Sequence, residues 1–69
     1  MTILETSVQY ALSRTMDSVG VHIYLCDDSN QLIAYNIAKQ YCKNLNIEHE
    51  CPENELAIKF ANSELKFVS

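Results

Sequence analysis

The sequence predicts a small α+β domain of two layers. Two amphipathic helices cover one face of a short, mainly antiparallel sheet, in the order α-β-α-β-β. Three observations carry this expectation. Residues 3 to 19 repeat apolar side chains at helical spacing, between a capping motif and a glycine. "VHIYLC", residues 21 to 26, is rich in β-branched and aromatic types and too short for a helix. Near the C-terminus, "ELAIKF" and "ELKF" both alternate with period two. Helices with one apolar stripe need an apolar sheet face to bury it, which gives the two layers. The order α-β-β-α-β-β is the alternative, and it turns on residues 28 to 37.

In the first element, Thr2-x-x-Glu5 has the form of a capping box. Leu4, Val8, Ala11, Leu12, Thr15 and Val19 then form one face, and Gly20 is expected at C′. Ile3 and Tyr10 project from the opposite side, near Arg14, and suggest a second contact surface. In the strand, Val21, Ile23 and Leu25 point one way, and His22, Tyr24 and Cys26 the other. Neither face is strongly polar, so the expectation is a central strand with cover on both sides or at least half-cover on the second.

Residues 28 to 45 admit two readings. As a helix, Asp28-x-x-Gln31 is a second capping box, and Ala34, Ile37, Ala38, Tyr41 and Leu45 make the stripe. Leu32 and Tyr35 then lie off it. As a hairpin around Asp28-Ser29-Asn30, Val21 pairs with Ile37, Ile23 with Tyr35 and Leu25 with Ile33. The helix is favoured because its stripe runs unbroken to Leu45. At the C-terminus, a hairpin with a two-residue loop at Asn62-Ser63 sets Phe60 opposite Leu65 and Ile58 opposite Phe67. That register places Lys59 opposite Lys66, at a cost of a few tenths of a kcal/mol. A helix starting at Pro52 competes with it. A short strand at "IEHEC" can fit between.

With 69 residues the chain is read as one domain, 1–69. A domain of this size holds about 3–5 kcal/mol of net stability from its core. The N-terminus lacks the basic and long apolar segments of a secretory signal, and no window reaches transmembrane length. Three cysteines with no Cys-x-x-Cys pair fit free thiols in a cytoplasmic protein. No membrane association is expected.

The net charge is −4. Residues 46 to 58 contain Glu48, Glu50, Glu53 and Glu55 and no Lys or Arg, so the whole excess sits there. Direct nucleic-acid binding is disfavoured, because neutralising phosphates needs a basic stripe. Zinc has five candidate ligands in His22, Cys26, Cys42, His49 and Cys51, but no tight clip among them. Cys51 and His49 can be drawn as a reactive pair, yet the surrounding glutamates raise a thiol pKa. Asp27 and Asp28 lack a partner base. No nucleophile elbow, phosphate loop or metalloprotease helix is present. No catalytic residue, metal or cofactor is therefore assigned.

The remaining feature is the acidic segment. It reads as a solvated connection or as a docking surface for a basic protein. The functional expectation is a small, acidic, non-enzymatic interaction protein: a regulator, inhibitor or accessory subunit. It acts on a protein partner or on itself as a homodimer or higher homo-oligomer, with Glu48, Glu50, Glu53, Glu55 and Tyr10 as contact residues. A structural zinc-binding module is the alternative.

Overall fold

Thr2 opens the first helix as its motif demands. Its Oγ1 accepts from the Glu5 N–H at 3.1 Å, and its own N–H donates to Glu5 Oε1 at 3.2 Å. Two orphan donors are thereby satisfied. The computed structural model describes residues 2–69. Among these the elements are α1 (Ile3–Met16), β1 (Gly20–Leu25), α2 (Asp28–Asn44), β2 (Ala57–Lys59) and β3 (Ser63–Val68). The α-β-α-β-β order holds, and residues 28 to 44 are helix rather than hairpin.

Helix α1 stops three residues before the expected end at Val19. Asp17 is its C-cap, and Gly20 is the first residue of β1 with φ 90°. A Cβ there would meet nothing within 4 Å, so the requirement for glycine is conformational and not spatial. Val19, left between helix and strand, is 77% exposed. Val8, Leu12 and Thr15 are buried as the stripe requires. Thr15 hides its hydroxyl by donating to the Ala11 carbonyl at 2.8 Å.

Helix α2 departs from the sequence reading at both ends. Its N-cap is Asp27, with no side-chain cap bond, so the Asp28 to Gln31 box does not form. Gln31 Nε2 instead donates to the Phe67 carbonyl at 2.8 Å, tying α2 to β3. At the C-terminus Asn46 has φ 55°, the Ile47 N–H donates to the Cys42 carbonyl at 2.9 Å, and the Asn46 N–H to Lys43 at 3.2 Å. This is a Schellman motif with asparagine in the left-handed position. The chain turns away there, which leaves Leu45 56% exposed and not on the buried stripe. Tyr35, expected off the stripe, is buried at 7% exposure. Its ring meets Phe67 edge-on at 5.8 Å.

The sheet is mixed and ordered β1-β3-β2. β1 pairs with β3 in parallel, from Gly20 with Ser63 to Leu25 with Val68. β2 pairs with β3 antiparallel. The expected mainly antiparallel sheet and central β1 are both corrected: β3 is the centre and β1 an edge. Parallel neighbours need a long crossover, and residues 26 to 62 supply it. The β2–β3 register also differs from the expected one, by two residues. Ile58 faces Leu65, Lys59 faces Glu64, and Ala57 faces Lys66. A slip of two keeps every side chain on its face, where a slip of one would reverse them. It also replaces a lysine opposite a lysine with a lysine opposite a glutamate. The loop falls at Ala61-Asn62. Among the described non-glycine residues only Asn46 has positive φ, so neither Ala61 nor Asn62 takes the left-handed conformation of a primed two-residue turn.

The core joins Val8 and Leu12 of α1, Ala34, Tyr35, Ala38 and Cys42 of α2, and Ile58, Leu65 and Phe67 of the sheet. Both helices thus cover the same sheet face. Phe67 is 2% exposed and lies at the centre, with Tyr24 of β1 at 5.6 Å on one side and Tyr35 on the other.

Two stability outcomes follow from this packing. Phe67→Ala should cost about 3–5 kcal/mol, a loss comparable with the whole stability of a domain this small, so circular dichroism at 25 °C should show a largely unfolded chain. Asn46→Ala should cost about 1 kcal/mol, because only the asparagine or glycine tolerates that φ cheaply. Asn46→Gly should match or exceed wild type; thermal melts, moving roughly 4–8 °C per kcal/mol, read both.

Candidate interaction surface

The sheet has a second face, away from the helices. Register places Val21, Ile23 and Leu25 of β1 on it, with Glu64, Lys66 and Val68 of β3 and Ala57 and Lys59 of β2. The β1 side chains are 60%, 61% and 78% exposed. An apolar stripe thus runs along one edge of this face, with Glu64, Lys66 and Lys59 beside it, while Ala57 on the same face is buried. The stripe is open because both helices pack on the other face of the sheet, and β1 at the edge also lacks a strand on one side among the described residues.

The acidic connection runs along the opposite edge of the sheet, beside β2. Glu50 exchanges both backbone hydrogen bonds with Lys59, at 2.9 and 2.8 Å, in an isolated antiparallel bridge. The expected strand at "IEHEC" is reduced to this one residue. Glu48, Glu50, Glu53 and Glu55 are all exposed. Glu55 Oε2 lies 3.6 Å from Lys66 Nζ, and both side chains are over a third exposed. The fold therefore brings Lys59 and Lys66 to a segment that is purely acidic in sequence. Tyr10 sits on the outer side of α1 in a separate patch with Ile3, Thr6 and Ser7. It is 62% exposed and accepts a hydrogen bond from Arg14 at 3.1 Å, with the guanidinium 5.8 Å above its ring. The five expected contact residues thus form two patches.

The thiols and imidazoles occupy structural positions. Cys42 is buried in α2, and burial, with Cys51 nearby as a lesser cause, pushes its thiol up to about 11. Cys26 donates to the Val68 carbonyl at 3.5 Å; burial first, then Asp27 and Asp28, raise its pKa. Burial and the neighbouring Cys51 likewise raise the Tyr35 hydroxyl. His49 Nδ1 lies 2.7 Å from the Ile47 carbonyl, which can only accept, so the proton is on Nδ1. His22 Nε2 and Glu64 Oε2 are enclosed without a partner among the described residues, but they lie on opposite faces of the sheet and cannot meet. Among the described residues no three His, Cys, Asp or Glu side chains are placed to hold a metal ion. Among the same residues no helix is long and apolar enough to cross a membrane.

The chain matches no protein family, and no curated protein and no solved structure matches it.

Replacing Glu48, Glu50, Glu53 and Glu55 together by Gln should leave the melting temperature within a few degrees. Only the exposed Glu55–Lys66 pair is lost, worth under about 1 kcal/mol. Collapse of the fold would show that these carboxylates do more than face solvent. Cys42 should resist thiol reagents at pH 8 while the chain is folded and react once it is denatured. Its folded pKa lies above the unfolded value of 9.0. Folding therefore disfavours the thiolate, and the stability linked to this group is complete below pH 9 and falls as pH rises from 9 towards 11.

Proposed function

We propose that this chain is a small, acidic, non-enzymatic interaction protein of the cytoplasm. It acts as a regulator, inhibitor or accessory subunit by binding a protein partner or a second copy of itself. One observation carries the reading: Val21, Ile23 and Leu25 stand in a row on a sheet face that no helix covers among the described residues. Single exposed apolar residues are ordinary on small domains; a contiguous row on a strand, rimmed by charge, has the character of a contact surface. The glutamates of the connection serve a different purpose. They give the molecule a negative side that speeds encounter with a basic protein and disfavours acidic competitors.

The test is affinity capture from the native host with three baits: wild type, a Val21→Lys/Leu25→Lys double variant, and the four-glutamate-to-glutamine variant. Wild type should retain a defined protein. The double variant should lose it, and the glutamine variant should capture it more slowly, as should wild type at raised salt. Equal capture by wild type and the double variant would remove the sheet face from the function.

A further inference from the structure

We propose that β1 is a self-complementary docking edge, and that two copies of this chain join antiparallel through it about a two-fold axis at Ile23. The inference rests on the interaction reading above and names the occupant of that edge. β1 stands at the border of the sheet, with β3 on one side and no strand on the other among the described residues. The Gly20 N–H donates to the Asn62 carbonyl at 3.0 Å, and the Cys26 N–H to the Val68 carbonyl at 2.9 Å. Both ends of the strand thus turn the backbone groups of even-numbered residues towards β3. Alternation does the same for His22 and Tyr24, and turns the N–H and C=O of Val21, Ile23 and Leu25 outward. The three residues with exposed apolar side chains are therefore the three whose backbone groups lack a strand partner.

An edge of this kind is normally blunted by a lysine, a proline, a bulge or an inward charge. Residues 18 to 26 contain no charged residue and no proline. The other border differs, because Glu50 already bridges Lys59 beside β2. Antiparallel pairing that uses every outward group must set odd residues opposite odd residues. Centred on Ile23, it places Ile23 against Ile23 of the second copy and Val21 against Leu25, twice by symmetry. Each is a hydrogen-bonded pair with both side chains on the outer face. The pairing brings no acid into register, because Asp17 and Asp27 lie outside the strand, at the ends of α1 and α2. Such an interface is isologous and closes on itself as a dimer. It turns two three-stranded sheets into one of six strands and merges two apolar stripes into one surface on the open face.

The experiment uses the full chain. Sedimentation equilibrium at high micromolar concentration should give twice the 7.9 kDa chain mass. Because no charged pair lies in register, added salt should not weaken the dimer, unlike an encounter steered by the acidic connection. Hydrogen exchange followed by NMR should show the Val21, Ile23 and Leu25 amides protected in proportion to dimer. Ile23→Lys and Ile23→Glu should each raise the dissociation constant more than about tenfold, since like charges would then lie directly opposite. Mixing the I23K and I23E chains should restore a dimer. A monomer mass for wild type, a dimer whose Val21, Ile23 and Leu25 amides exchange freely, or no heterodimer on mixing folded variants would each overturn the proposal. If either variant fails to fold, the exchange pattern of wild type still decides. A monomeric wild type whose partner capture remains sensitive to Val21 and Leu25 removes the two-fold alone and leaves the interaction reading standing.

Discussion

Phe67 is the residue on which the rest of the structure converges. Its ring is almost wholly buried and sits between Tyr24 of β1 and Tyr35 of α2. Its N–H donates to the Leu56 carbonyl at 2.8 Å, which fixes the approach to β2. Its carbonyl accepts from Gln31 of α2. One residue of the central strand therefore ties both neighbouring strands and the second helix. In so small a domain such concentration is physically expected, since few side chains can be surrounded on all sides. Tilted and edge-on aromatic contacts add specificity to the burial, because they are favourable only in certain orientations.

The position of β3 at the centre explains what is exposed. A three-stranded sheet has one strand with two neighbours. β3 fills that place with Ser63, Leu65 and Phe67 on the helix side and Glu64, Lys66 and Val68 on the other. The helices are both spent on the first face. β1 is then left with cover on one side only, and its second apolar row meets solvent. The strand has the composition of a doubly covered strand in the position of an edge. That mismatch between composition and position is the physical ground on which we propose a partner for it.

Charge bears on a different matter, the alignment of β2 with β3, because the observed register separates Lys59 from Lys66. Two registers differing by two residues bury the same side chains, so hydrophobic burial cannot choose between them. The observed register sets Lys59 against Glu64 and frees Lys66 to reach Glu55. The acidic connection is thereby partly compensated by lysines remote from it in sequence. Glu48 and Glu53, with Glu50 at the bridge, keep the negative character of that side.

Local physics made much of this protein legible from its residues. The Thr2 capping box, the buried faces of both helices at Val8, Leu12, Ala34 and Ala38, the C-terminal hairpin and the two-layer α+β order all follow from patterns a few residues long. The helix ends were less legible. Gly20 fits a helix C′ as well as a strand start, and Asn46 announces its left-handed turn more quietly than a glycine would. Of the candidate site, the four glutamates and Tyr10 were visible as exposed residues, but the apolar row of β1 was not. Whether Val21, Ile23 and Leu25 are covered depends on strand order, and strand order depends on pairing between residues some forty positions apart. The parallel β1–β3 partnership, the two-residue shift of the hairpin and the meeting of Glu55 with Lys66 are set by contacts distant in sequence. Alternation along one strand specifies its two faces; only the assembled sheet decides which neighbours, layer or solvent those faces meet.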